Sequence, residues 1–168
     1  MVGVNPTVIE ILDRRDPFLS GPGRPTLSED ELQALAAIAD IEEELVAVAA
    51  DPEQPLPRRF AAASAMFQGG WTDWRDGPAG AAIAAALAAA IREDHSHNRW
   101  GLPGVFVGPS GADLLHIDVG VDEALTPLLD DQRELVIEGS EAAARAEREH
   151  FRIADLAAYL IAKHRGEE

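Results

Sequence analysis

"AGAAIAAALAAAIRED", residues 79–94, is the stretch from which the fold class can be read. Alanine is the best helix former and leaves little bulk between packed axes. Ile83, Leu87 and Ile91 recur four residues apart, so they share one face of a helix otherwise surfaced with small residues. Such a rod is covered only by close neighbours, and the sequence on either side supplies them. "LSEDELQALAAIADIEEELVAVAA", residues 27–50, predicts one long helix. Ser28 and Glu31 form a capping box at its start, and Ile38, Ile41, Leu45 and Val48 form its buried face. Glu42, Glu43 and Glu44 fall mostly outside that face, and "DPEQPLP" ends the helix.

"PRRFAAASAMFQGG", residues 57–70, predicts the next helix. Pro57 suits its first turn, Phe60, Ala63 and Phe67 share a face, and Gly69 or Gly70 supplies a left-handed stop. Beyond residue 110, "SGADLLHIDVGVDEALTPLLDD" predicts two short helices, with Pro127 either starting or kinking the second. In "GSEAAARAEREHFRIADLAAYLIAKHRG" the stripe of Ile153, Leu156, Ala157, Leu160 and Ile161 marks a closing helix. The front of that stretch lacks a large apolar residue and reads as a solvated helix or a separate turn. There Arg145 and Arg148 face Glu141 and Glu149 as helical ion pairs. Val8, Ile9, Ile11 and Leu12 form one or two helical turns in an arm over 1–25 that "GPGRP" closes. No period-two strand stands out; "GVFVG" is at most a brief extended piece. The expectation is therefore a single all-α domain over 1–168, of about six helices, with a long Gly/Pro-rich loop.

Composition narrows the function. The 168 residues contain 46 % hydrophobic side chains, enough for a core, and no cysteine. Disulfides, thiolate nucleophiles and zinc–thiolate sites are thereby excluded. Thirty acidic against 14 basic residues give a formal charge of −16. That charge argues against nucleic acid as a partner, because affinity for phosphate comes from clustered Lys and Arg. It fits a cytoplasmic protein, a basic protein partner or a salt-rich cell interior. The N-terminus lacks the basic-then-apolar pattern of a secretory signal, and residues 80–91 are too short to span a bilayer, so no membrane partner is expected.

Three pieces look alike. "LPRRFAAASAMF" and "HFRIADLAAYLIAKH" both run from basic and polar residues into an alanine-rich helix, and "VDEALTPLLDD" resembles the first helix of a helical pair. Together they resemble the HEAT-like repeat, in particular the short repeats of phycobilin-lyase-type proteins, over 40–68 and 121–165. Loops 94–111 and 139–149 would be insertions. The resemblance implies a compact α-α superhelix in which Ala61, Ala62, Ala157 and Ala158 permit close stacking and terminal helices act as caps. It also implies a role in binding proteins or, in a few members, in handling tetrapyrroles or DNA.

The chemistry-bearing stretch is "REDHSHNRWGLPGVFVGPSG", residues 92–111. Asp94, His95 and His97, with His116 and Asp118, offer a possible donor set for zinc or iron. The competing reading is a polar loop whose histidines are exposed or bonded to backbone. Asn98 can close a turn, Arg99 can pair with a carboxylate, and Trp100 can pin the loop to the body. A loop of this length is either a plug packed by its own side chains or a recognition element, and the residues suit both. Trp71 and Trp74 read first as a plug between helices and second as a ligand platform. Ser64, Ser96, Ser110 and Ser140 lack a nucleophile-elbow context, and there is no phosphate-cradling G-x-x-x-x-G-K loop. The Asp130–Asp131 pair is unremarkable in so acidic a chain.

The expected function is a non-enzymatic interaction module that needs no cofactor. It would bind a protein partner through its helical face or through His97, Asn98, Arg99 and Trp100, with Trp71 and Trp74 next in line. The rival is a small metal-dependent hydrolase or tetrapyrrole-type lyase built on the His95, His97 and His116 region.

Overall fold

Why the chain stacks as helices is clearest at α4, Leu56–Gly69, whose residues 60–66 are all buried. Ala61, Ala62, Ala63 and Ala65 place almost no side chain between this helix and its neighbours, so its backbone can be approached from several sides. The computed structural model describes residues 3–19 and 26–167, and within them α4 is the central rod. Against it pack α1 (Pro6–Leu12), a 3₁₀ turn (Pro17–Leu19), α2 (Glu29–Ala36), α3 (Ile41–Ala50), α5 (Pro78–Glu93) and α6 (Pro109–Leu115). The second half adds α7 (Val121–Leu125), a 3₁₀ turn (Thr126–Asp130), α8 (Ser140–Glu149) and α9 (Ile153–His164). Helix α7 sits on α5, and α9 sits on α7 and α6. The fold is mostly helical, and among the described residues no helix is long and apolar enough to cross a membrane.

The alanine-rich stretch of 79–94 forms α5 as its periodicity predicts, with Ile83, Leu87 and Ile91 buried. Helix α4 stops at Gly70, whose φ of 76° is the left-handed C-cap expected there. The Ser28 capping box is present in both directions: Ser28 Oγ accepts from the Glu31 amide, and Glu31 Oε2 accepts from the Ser28 amide. Ala157 is buried against the body, whereas Ala158 is exposed and takes no part in stacking.

Three expectations need correction. The single helix over 27–50 is two helices, α2 and α3, with Asp40 left-handed between them at φ 56°. A straight rod over those residues would run about 35 Å, against about 21 Å for the 14-residue α4 that it covers. Bending lets both Leu35 and Ile41 stay buried, and Asp is one of the few side chains that tolerates the left-handed region. The helices number nine, not six, among the described residues: the N-terminal patch forms a helix of its own, α1, and the chain also bends at His150, left-handed at φ 52°, separating the exposed α8 from α9. Pro127 falls inside the 3₁₀ turn that tightens the chain after α7.

The third correction concerns extended structure. Gly101–Leu102 (β1) pairs antiparallel with Phe106–Val107 (β2), so the "GVFVG" piece is half of a small hairpin. Residues 134–138, "ELVIE", are also extended and alternate in burial, Leu135 and Ile137 inside and Val136 outside. Glu134 bridges Arg152 there. The run is too short for period two to stand out against helical background, and its pairing partners are distant in sequence. The N-terminal patch folds as α1, with Val8, Ile11 and Leu12 buried; the "GPGRP" break at 21–25 lies outside the described residues.

Candidate functional site

The connection of 94–111 leaves α5 at Asp94, whose side chain is fully buried. A buried carboxylate must find donors. Asp94 finds two, Trp100 Nε1 at 3.0 Å on Oδ2 and the Ser96 amide at 3.3 Å on Oδ1, and it forms an ion pair with Arg99, whose Nε lies 2.9 Å from Oδ2. Burial pushes the Asp94 carboxyl above its ordinary range and outweighs the opposing Arg99 charge, the Trp100 and Ser96 hydrogen bonds and His97. Arg99 is used again: its Nη2 donates to the Pro17 carbonyl at 2.7 Å, and its guanidinium lies 5.3 Å from the centre of the Phe60 ring. Trp100 has no exposed surface and meets Phe60 at 5.8 Å; Phe60 in turn meets Phe18 at 5.3 Å. An aromatic column thus joins the connection to α4 and to the N-terminal turn.

His97 is committed at both ring nitrogens. Nε2 lies 3.1 Å from the Ile91 carbonyl, and Nδ1 accepts from the Val136 amide at 2.9 Å. A carbonyl only accepts and an amide N–H only donates, so the ring is the neutral Nε2–H tautomer. The His97 amide also donates to the Val136 carbonyl at 2.7 Å. Asn98 does the same work one step on. Its Nδ2 donates to the Glu138 carbonyl and its Oδ1 accepts from the Glu138 amide, each at 2.8 Å, while Ser96 Oγ donates to Oδ1 at 2.9 Å. The side chains of His97 and Asn98 therefore pair with the backbone of 134–138 as a neighbouring strand would.

The residues considered as metal ligands are dispersed. His-x-His would place both rings on one side of a strand, but this segment turns, so His95 is exposed while His97 is buried. Asp94 is taken up by its two hydrogen-bond donors and Arg99, and His116 and Asp118 are exposed beyond α6. Among the described residues no group of three His, Cys, Asp or Glu could hold a metal ion. Trp74 is buried, its Nε1 donating to the Trp71 carbonyl at 2.7 Å and its ring edge-on to Phe67 at 5.4 Å. Trp71 is half-buried, and the pair packs the joint between α4 and α5.

Three features escaped the sequence reading. Asp131 is buried and holds two guanidinium groups, Arg133 Nη2 at 2.7 Å and Arg92 Nε at 3.1 Å. The Arg133 hydrogen bond, aided by Arg92, overrides burial and keeps this carboxyl far below the usual carboxylate range. The only sequence hint is the Asp131-x-Arg133 spacing. Asp113 on α6 is half-buried, and burial pushes its carboxyl up to about 6, with His116 pulling it partly back. A raised value means the folded form binds the proton more tightly than the unfolded form, so stability is greatest below the ordinary value and falls as pH rises through about 6. Asp113→Asn is expected to raise the melting temperature at pH near 7 and leave it almost unchanged near pH 4, which calorimetry at the two pH values would measure.

The third feature is an open cleft of about 580 Å³ beside α3. Asp40, Glu42, Glu43 and Asp73 rim it, and Val46 and Ala47 supply its apolar part. It belongs to a stretch, 26–54, that carries nine acidic residues and no Lys or Arg. Three of the acids are occupied internally, Glu31 by Arg15, Glu44 by the Asn5 amide, and Asp51 by the Glu53 amide and the Gln54 side chain. Compared with protein-family models, curated proteins and solved structures, the chain matches none.

Proposed function

We propose that this chain is a non-enzymatic, HEAT-like interaction module that binds a basic protein segment in the acidic cleft beside α3. The observation that carries the reading is the cleft itself, an acidic rim around an apolar wall within a stretch that has no positive side chain. Lys and Arg side chains suit such a surface because their stems cover apolar atoms while their heads meet carboxylates. The connection of 94–111 is a poorer binding face: His97, Arg99 and Trp100 are spent on its own packing.

The HEAT-like part of the reading is supported by which helices pair. The two pieces that resemble repeats correspond to α3 with α4 and to α7 with α9, each in contact, and α5 lies between them, touching α3, α4 and α7. Helices α1 and α2 cover the remaining sides of α4 as caps would. A cytoplasmic location fits the same reading. The metal-dependent alternative would require His97 to surrender the Val136 amide or the Ile91 carbonyl.

Nuclear magnetic resonance titration with a synthetic amphipathic peptide of lysine and leucine tests the proposal. Shifts are expected at Asp40, Glu42, Glu43, Val46, Ala47 and Asp73, with affinity falling at least about tenfold as salt shortens the screening length to about 3 Å near 1 M. Glu42→Lys combined with Glu43→Lys should abolish them. Shifts confined to 94–111, or none at all, would overturn the assignment.

A further inference from the structure

We propose that His97 is an acid-operated clasp: a proton taken up at Nδ1 undoes the joint between the 94–98 connection and the extended 134–138 segment while the helical body stays folded. The joint has four hydrogen bonds. Two run between His97 and Val136, and two between Asn98 and Glu138. Nδ1 is the one atom among these partners that can change from acceptor to donor. Once protonated, it would present N–H to the Val136 N–H, and the buried ring would have no acceptor for the new proton at Nδ1.

Charged groups face His97 from each side. Asp94, on its own connection, attracts a proton to the ring, and Arg133, on the segment opposite, repels one. Helix α5 presents the Ile91 carbonyl, which Nε2–H already uses. Burial lowers the His97 pKa below 6.5, against the pull of Ile91, Asp94 and Val136 and with the help of Arg133. The open form therefore takes up the proton first. The clasp is at full strength above pH 6.5 and weakens as pH falls toward the closed-state value. Each unit of pH in that window raises the opening constant about tenfold.

What opens is bounded. On the near side, Leu135 N donates to the Phe151 carbonyl and Ile153 N to the Arg133 carbonyl, and neither bond titrates. Beyond 138 the chain turns at Gly139, φ 102°, into α8, whose one buried residue with a described side chain is Ala146. Release thus exposes Ile137 and the inner side of α8. His150 lies 3.4 Å from Glu134 on the outer surface, where both side chains are exposed.

Hydrogen exchange, expressed as protection factors, tests this in the wild type and two variants near pH 7.5 and near pH 5. In wild type, protection of the Val136 and Glu138 amides should fall about tenfold or more at the lower pH while the α5 amides keep theirs. In His97→Gln the side-chain amide offers one donor and one acceptor with no titration, so protection should hold at both pH values. His97→Ala should be open at both. Equal wild-type protection at the two pH values, an equal loss in His97→Gln, or parallel loss in α5 would overturn the clasp. Should His97→Gln fail to fold, the wild-type ring nitrogens still decide: their titration must share its midpoint with the opening, and a different midpoint refutes the proposal.

Discussion

Trp100→Ala is expected to remove about 3–5 kcal/mol of folding stability, read from urea unfolding at neutral pH. The indole is fully buried between the connection and α4, stacked at a tilt on Phe60, and its Nε1 is one of two hydrogen-bond donors to Asp94. Truncation would leave a cavity and take a donor from a buried carboxylate in one step. Trp100→Phe separates the two effects. It keeps much of the ring volume and loses the N–H, so its deficit should lie nearer the 1–3 kcal/mol typical of about one stranded buried polar group. A domain of ordinary stability holds only about 5–15 kcal/mol in reserve, so the alanine variant should be marginal when warm. A loss under about 1 kcal/mol would mean that the ring does not plug the body.

Arg99→Met is expected to be comparably damaging, about 3–5 kcal/mol, because it leaves the Asp94 charge buried without its counter-ion. The methionine stem replaces most of the arginine's packing on Phe60, so the loss reports mainly on charge. Adding Asp94→Asn should restore most of it, since Asn can still accept from Trp100 Nε1. The pH dependence has a definite sign. Burial already raises the Asp94 carboxyl, so the folded form favours its protonated state, and ionisation costs stability as pH rises through the folded value. Without Arg99 that value rises further. The deficit of Arg99→Met should therefore shrink between about pH 7 and about pH 5, while the double variant should show no such recovery. An equal deficit at both pH values would place the cost in packing and not in charge.

The helical class was legible because α4 and α5 carry local signals: alanine content, a four-residue apolar step, a proline at the start and, for α4, a glycine at the end. The Ser28 box was legible for the same reason, since its partner is three residues away. The bend between α2 and α3 was not. Nothing local forbids a straight helix there, and the bend answers the length of α4, a property of another part of the chain. The connection of 94–111 posed the same difficulty. Its composition marked it as special, but plug and recognition loop differ only in where the side chains end. Those ends lie far along the sequence: Pro17 is 82 residues from Arg99, Val136 is 39 from His97, and Glu138 is 40 from Asn98. Glu42, Glu43 and Glu44 were legible as falling mostly off the buried face; that Asp73 joins Asp40, Glu42 and Glu43 around one cleft depends on the packing of α3 and the 71–76 turn.

The small hairpin has a consequence for anyone wishing to display foreign sequence on this scaffold. Its neck admits no side chain at Gly108 or Gly111, where an added Cβ would strike the backbone carbonyls of Asn98 and Arg99 or of Trp100. Its tip is the reverse, with open space around Gly104 and Val105 turned to solvent. A peptide grafted between Leu102 and Phe106 would be presented from an anchored base, its two ends held at strand spacing by a mount buried in the body.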